Sequence, residues 1–287
     1  MSSNDKIHIV TGPTAVGKSD FAIRLANELD GEVISADSMQ VYRFMDIGTA
    51  KVMMHERGGV AHHLIDIIDP DESFSVAIFA RLARAAISDV AARGKMPIIC
   101  GGAGFYINAL LYAADMDCDT SADEGYRDEL YALAKRDGNF VLHNMLQQID
   151  AESAAAIPAN NVKRVVRALE FYKLNGRPIS AHNRAQRAKG AAFNAEMHIM
   201  TEDRARLYTR IDARVDKMIT SGLVEEVESL LSRGYAPSLV SMQGIGYKEV
   251  AAYLLGKVDK ETAILKVKQN SRRYAKRQLT WIRNQAR

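Results

Sequence analysis

Residues 7–30, IHIVTGPTAVGKSDFAIRLANELD, decide the fold. A short β-type run, IHIV, leads into Gly12, Pro13, Thr14, Ala15, Val16, Gly17, Lys18 and Ser19, which fill the pattern G-x-x-x-x-G-K-[ST]. Apolar residues at three- and four-residue spacing follow, so the loop lies between a strand and a helix, the context this phosphate-binding motif needs. The two glycines let the backbone curl until successive N–H groups face inward, and the helix beginning near Lys18 adds the positive end of its dipole. Lys18 supplies a mobile point charge and the Ser19 hydroxyl is a ligand for Mg2+. The motif speaks for phosphate and says little about ATP in particular.

Working outward, EVIS (32–35), HLIDI (63–67) and MPIIC (96–100) read as further strands, separated by helical stretches such as FSVAIFARLARAAISDVAARG. In that stretch Gly94 and then Pro97 mark the helix stop. Strands alternating with helices predict right-handed βαβ units and a parallel sheet flanked by helices, an α/β, P-loop NTPase-like fold. From Ala113 to Ala192 only helical stretches occur, among them GYRDELYALAKRDG and NVKRVVRALEFYKLNG, before EMHIM (196–200) returns to the strand pattern. The predicted organisation is therefore a core of residues 1–112 and 193–287 with a helical insertion domain over 113–192. The C-terminus reads as helical and basic.

The 287 residues, 47% of them hydrophobic, suffice for a sizeable core, and the apolar runs are too short and charge-broken to span a bilayer. The N-terminus, MSSNDKIHIV, has no basic-then-apolar leader, which predicts a cytoplasmic protein. Cys100 and Cys118, the only cysteines, lack zinc-type spacing and read as reduced buried thiols. Charge is unevenly spread. Residues 1–160 carry 13 basic against 23 acidic side chains, residues 161–287 carry 25 against 12, and Thr262 to Arg287 hold eight basic residues and no acidic one. That asymmetry favours a polyanionic partner such as nucleic acid over a merely solvated face.

The second strand runs into ISADSMQVY, which puts Asp37 at the carboxyl edge of the sheet, where open α/β sheets carry their ligand crevice. There a carboxylate can take a proton from a nucleophile or hold Mg2+ through water. The plainer alternative is a helix N-cap. No later strand ends in the acid of an ordinary ATPase: Asp66 and Asp69 in HLIDIIDP read as flanks of a turn closed by Pro70.

In order along the chain stand GPTAVGKS, ISADSMQVY, DIGTAK (46–51), HHLIDIIDP (62–70), GGAGFYI (101–107), KRVVRALE (163–170), GLVEEV (222–227), QGIGYKE (243–249) and KRQLTW (276–281). This series resembles the bacterial tRNA dimethylallyltransferases, the isopentenyl transferases that modify adenosine 37 beside the anticodon, over nearly the whole length from Ile9 to about Arg283. The resemblance implies that the loop holds the diphosphate of dimethylallyl diphosphate, although the motif is ordinarily read as ATP-binding. It implies alkyl transfer to N6 of the adenine with release of diphosphate, Mg2+ as cofactor and tRNA as partner; the sequence does not fix the oligomeric state, and a monomer is the expectation. By the same resemblance Asp37 is the catalytic base, with Lys18 and Arg214 as its catalytic companions, Thr14 and Arg214 reaching the diphosphate and Ser19 the metal.

The segment Asp37, Ser38, Met39 and Gln40 matches the part that meets the flipped base. Ala103, Arg127, Lys163, Arg164, Val165, Val166 and Arg167 fall in matching tRNA-contacting stretches, Lys163 and Arg167 sharing a helix face. So do Gln243, Gly244, Ile245, Gly246, Tyr247 and Lys248, and Arg272, Lys276 and Arg277. Read without the resemblance, Arg214 has Asp212 and Asp216 as salt-bridging neighbours, the pattern of an exposed helix. Two positions depart from the family pattern. Ala103 stands where a threonine normally contacts substrate, and Val52 replaces the proline after TAK.

A small-molecule kinase would account for Gly12–Ser19 and an acid after the second strand, but leaves the basic C-terminal half without a purpose. A non-enzymatic nucleotide switch that binds RNA leaves Asp37 without one.

Overall fold

In the computed structural model residues 6–112 and 123–285 are described, and Cys118 lies outside them. The chain divides into two compact units, Met1–Leu110 with Phe193–Arg287, and Leu111–Ala192.

The first unit starts with β1 (Lys6–Thr11), α1 (Lys18–Glu28), β2 (Gly31–Ser35), the two-residue β3 (His62–His63), α2 (Val76–Ala92), β4 (Met96–Cys100) and α3 (Gly104–Tyr112). In the second unit α4 (Glu124–Asp137), α5 (Asn139–Ile149), α6 (Ala151–Ala156), α7 (Val162–Asn175) and α8 (Ile179–Ala188) follow. The chain returns to the first unit as β5 (Asn194–Ile199), α9 (Arg204–Thr220), α10 (Leu223–Ser232), α11 (Tyr247–Leu254) and α12 (Lys260–Gln285). The five strands form one parallel sheet in the order β3-β2-β4-β1-β5.

Register sorts the side chains. Val10, Val33 and Ile98 join Ala22, Leu25 and Ala26 of α1 in one cluster, whereas the alternate set, Ile9, Ile34 and Ile99, points to the face on which α2 packs. All of these are near-completely buried, as near-continuous apolar runs in a doubly covered parallel sheet require. The predicted strand HLIDI is corrected. Pairing stops after His63 because Leu64 and Asp66 adopt positive φ (61° and 56°), a left-handed conformation that breaks the ladder. Asp66 and Asp69 do flank turns, each held by a cation: Lys51 at 2.5 Å and Arg43 at 3.0 Å.

A second cluster in the first unit packs Val41, Tyr42 and Met45 against Leu223, Val227 and Leu230 of α10 and Tyr247 and Val250 of α11. Helix α12 is about 39 Å long at 1.5 Å per residue. It buries Ala263, Val267, Ala275, Gln278 and Ile282 along one face and leaves Arg273, Lys276 and Arg277 exposed. The second unit has its own core, in which Leu130, Leu142, Leu146, Val165, Val166 and Leu169 meet. Among the described residues no helix is long and apolar enough to cross a membrane.

Candidate active site

Strand order brings the chemistry together. β4 lies between β2 and β1, so the loops leaving the carboxyl ends of all three are neighbours. Backbone bonds carry the alignment past the strands: Ala36 N–H donates to Cys100 O (2.8 Å), Gly101 N–H to Val10 O (3.1 Å) and Met200 N–H to Thr11 O (2.8 Å). Gly12 is required where it stands, because a Cβ there would lie 2.5 Å from the Met200 carbonyl. Gly17, at φ 94°, sits ahead of α1, and no side chain caps that helix. The N–H groups of its first turn are therefore left for a ligand anion. Lys18 folds back over the loop to donate to Pro13 O at 2.8 Å. Its desolvation pulls the ammonium down to about 8, against the opposing effects of Cys100 and Asp37 and with a further push from Arg214. Cys100 is a free thiol that burial pushes up to about 11, so it is uncharged at neutral pH.

No helix begins after Asp37, which rules out the N-cap alternative. Instead Asp37 Oδ1 accepts the Met39 N–H at 2.8 Å, an Asx turn that fixes the carboxylate. The other oxygen has no hydrogen bond among the described residues. Asp37 acts electrostatically on Lys18, Arg214, Tyr106 and Tyr274, which places it at the centre of the site. Burial raises both phenols above their ordinary value.

Arg214 is the main surprise relative to the exposed-helix reading of its neighbours. Asp212 and Asp216 pair with Arg272 (2.5 Å) and Lys268 (2.6 Å) of α12. Arg214 turns the other way, half-buried, and donates through Nη1 to Thr14 Oγ1 at 3.3 Å.

Sequence reasoning missed Gln278. It is buried, accepts the Thr14 N–H through Oε1 (2.8 Å) and donates through Nε2 to Gly102 O (3.0 Å), tying α12 to two of the loops. A Cβ on Gly102 would meet Gln278 Nε2 at 2.1 Å, and one on Gly104 would meet the Trp281 ring at 2.3 Å. The signal was present as GGAG and KRQLTW, but pairing them needs the fold. Tyr106 and Tyr274 were missed for the same reason.

The remaining expected residues divide by exposure. Ser38, Met39, Gln40 and Ala103 are half-buried beside the site, Gln40 accepting from Ser35 Oγ at 3.1 Å. Gln243, Lys248, Lys276 and Arg277 are exposed, and Arg272 is committed to Asp212. Gly244 backs onto the Met39 methyl, and Ile245 is half-buried. Gly246 and Tyr247, also expected among the tRNA contacts, face inward in this structure. Both are buried, and the Tyr247 hydroxyl donates to Glu226 Oε1 at 2.6 Å. Glu226 also accepts the N–H groups of Asp46, Ile47 and Gly48, so these motifs hold the DIGTAK loop in shape.

In the second unit Val165 and Val166, expected in a tRNA-contacting stretch, lie in its core and present nothing to solvent. Arg127 and Arg167 share one fully buried carboxylate, Glu170, at 2.8 and 2.9 Å. Lys163 and Arg164 are exposed and carry no ion pair among the described residues. A concavity of about 340 Å³ in this unit is lined by Phe140, His143 and residues 154–160, with no Asp, Glu, Lys or Arg among them.

The residues present fit a magnesium ion. Ser19, half-buried in the first turn of α1, offers a hydroxyl with no hydrogen-bond partner among the described residues. Mg2+ commonly takes few protein ligands and completes its shell with water and phosphate oxygens.

The IPP transferase profile matches residues 40–285, and that of isopentenyl transferase matches residues 5–66. The chain belongs to the IPP transferase family. A tRNA dimethylallyltransferase of Lachnoclostridium phytofermentans is 50% identical over 277 residues, 96% of this chain and 88% of the relative. The crystal structure of the full-length tRNA isopentenylpyrophosphate transferase of Bacillus halodurans is 49% identical, with a TM-score of 0.71 over 98% of this chain and 87% of that one. A eukaryotic dimethylallyltransferase caught acting on tRNA matches at TM-score 0.82 with 33% identity, covering 97% of this chain and 70% of the other.

Proposed function

We infer that this family member transfers the dimethylallyl group of dimethylallyl diphosphate to N6 of adenosine 37 in tRNA, giving N6-(dimethylallyl)adenosine and diphosphate. The observation that carries the reading is Asp37: a carboxylate with one oxygen fixed by the Met39 N–H and one open, at the electrostatic centre of Lys18 and Arg214.

In the reaction the bond between the allylic carbon and the diphosphate oxygen breaks, the electron pair leaving with the diphosphate. Adenine N6 bonds to the carbon and gives its proton to Asp37. N6 is a poor nucleophile, so the barrier falls mainly by stabilising the departing anion and the allylic cation. The first-turn N–H groups of α1, Lys18 and Arg214 surround the position of that anion. Ser19 would hold Mg2+ there, and the ion would neutralise part of the leaving charge. Asp37 must accept N6–H while the C–N bond forms, which requires the adenine to leave its stack. Ser38, Met39, Gln40 and Ala103 border the space it would enter, and Ala103 offers no hydroxyl to it.

Incubation with radiolabelled dimethylallyl diphosphate, Mg2+ and unmodified tRNA tests the reading. Label is expected at N6 of adenosine 37, and an ATP lane is expected to transfer no phosphate. Phosphate moving from ATP with no label in tRNA would establish a kinase instead.

Lys18 makes the diphosphate site pH-dependent. With the ammonium near 8 in the empty site, it is charged below that pH both free and bound, so Lys18 itself adds no pH dependence to diphosphate affinity there. Bound diphosphate raises that value, so above pH 8 binding must also take up a proton. Affinity then falls about tenfold per pH unit until the bound-state value is reached. Titration calorimetry across pH 6.5–9.5 reads this directly, and a flat profile through pH 9 would contradict it.

The helical unit is proposed to grip the anticodon arm through Lys163 and Arg164. Alanine at either is expected to weaken tRNA binding and lower the slope of log K against log salt by about one. Arg167→Ala acts differently, because it strips a partner from the buried Glu170 and lowers thermal stability of the unit. Equal salt slopes for wild type and the Lys163→Ala, Arg164→Ala double variant would remove both residues from the phosphate footprint.

A further inference from the structure

We propose that His8, Glu196 and His198 form a zinc site on the α1 face of the sheet, separate from the diphosphate loop. Register puts them together. His8 of β1 pairs with Glu196 of β5, and His198, two residues further along, lies on the same face of that strand. His8 Nδ1 stands 2.9 Å from His198 Nε2 and 3.9 Å from the Glu196 carboxylate, which is 3.7 Å from His198 Nε2. The 2.9 Å contact is a hydrogen bond between the rings that an ion would replace, and one donor atom from each of the three residues lies within 4.8 Å of the other two, so small side-chain rotations bring all three to zinc-bond length.

The donors select the metal. Two imidazoles and a carboxylate leave one position open and suit a borderline divalent ion better than the hard, oxygen-seeking Mg2+ or Ca2+, and they offer no sulfur for Cu(I). His8 is buried, His198 is mostly so, and Glu196 is half exposed on the outermost strand, so an ion can enter from the solvent edge. Lys6 now pairs with Glu196 at 3.1 Å, but that pair is also half exposed and gives way at little cost. Phe21 of α1 packs against the His198 ring, 5.5 Å between centroids, and walls the inner side. His8 Nε2 has no hydrogen-bond partner, so the site lacks the outer acceptor that strengthens the tightest zinc centres, and it should bind more weakly than those.

Such an ion would tie β5 to β1. β1 runs directly into Gly12, and the chain after β5 supplies the Met200 carbonyl that backs it. The brace therefore sits under the loop without touching it, and its readout is metal content and stability.

The tag-free chain is titrated with Zn2+ in excess Mg2+ by equilibrium dialysis, with metal analysis and thermal melts on the same samples. One Zn2+ per chain is expected, with a rise in thermal midpoint. His198→Gln should lose both, and Glu196→Gln, half exposed and safe for folding, should weaken binding by at least tenfold. Co2+ bound to the wild type should give the visible absorption of a four-coordinate site, absent in His198→Gln. Because the same donors suit Fe2+, an anaerobic Fe2+ titration is the second arm, and Zn2+ should bind more tightly. The proposal fails if His198→Gln retains as much zinc as wild type, which would assign the metal to the five histidines outside the cluster, if Glu196→Gln binds zinc as tightly as wild type, or if Fe2+ binds more tightly.

Discussion

Asp37→Asn lowers kcat by roughly a hundredfold to ten-thousandfold, the usual worth of a positioned general base, while tRNA affinity stays within about twofold. Asparagine is the informative substitution because of the Asx turn. Its side-chain oxygen still accepts the Met39 N–H that Asp37 Oδ1 accepts now, so Ser38, Met39 and Gln40 keep their places. What is lost is the oxygen able to take a proton. The charge near Lys18 and Arg214 is lost too, which brings two cations closer to unopposed and should tighten diphosphate binding slightly. Single-turnover transfer beside tRNA and diphosphate Kd values separates these effects. A loss shared equally between turnover and tRNA affinity would make Asp37 a recognition residue and not a base.

The parallel sheet was legible because each buried strand is a short apolar run ended by a small residue or a glycine. The phosphate loop was legible because its glycines answer to backbone needs at Gly12 and Gly17 that no other residue meets. HLIDI was misread because composition does not reveal positive φ at Leu64 and Asp66, where ion pairs and turns override the strand pattern. Val165 and Val166 show how one motif mixes surface and core positions. KRVVRALE alternates exposed cations with core valines, and only the helix phase tells them apart. The burial of Tyr247 was not legible because a buried tyrosine is recognisable only once its acceptor, Glu226, is known. Gln278 was invisible for the same reason: its two partners are 264 and 176 residues away. The charge asymmetry pointed toward nucleic acid, yet several cations of the basic half are internally paired, among them Arg167, Lys268 and Arg272.

Arg214→Ala should reduce kcat/KM for dimethylallyl diphosphate by roughly a hundredfold to a thousandfold, the cost of removing one preorganised donor to a developing anion. Asp212 and Asp216 do not hold it, so its guanidinium is already aimed at Thr14 and the loop before any ligand arrives. Lysine should recover only part of the loss, since it restores the charge but not the planar fork. A merely structural role would predict a lower thermal midpoint in the empty variant. The geometry predicts the reverse order of effects. Desolvation pulls Arg214 below its ordinary value, and its charge also depresses Lys18, so the empty site holds two cations at an electrostatic cost. Removing one relieves that cost, and the empty Arg214→Ala protein should melt no lower than wild type. Diphosphate then has less repulsion to neutralise, so its stabilisation of the variant should be smaller than its stabilisation of wild type. Melts with and without inorganic diphosphate measure both quantities in one experiment, and a variant that melts lower empty yet gains as much from diphosphate would place Arg214 in the scaffold instead.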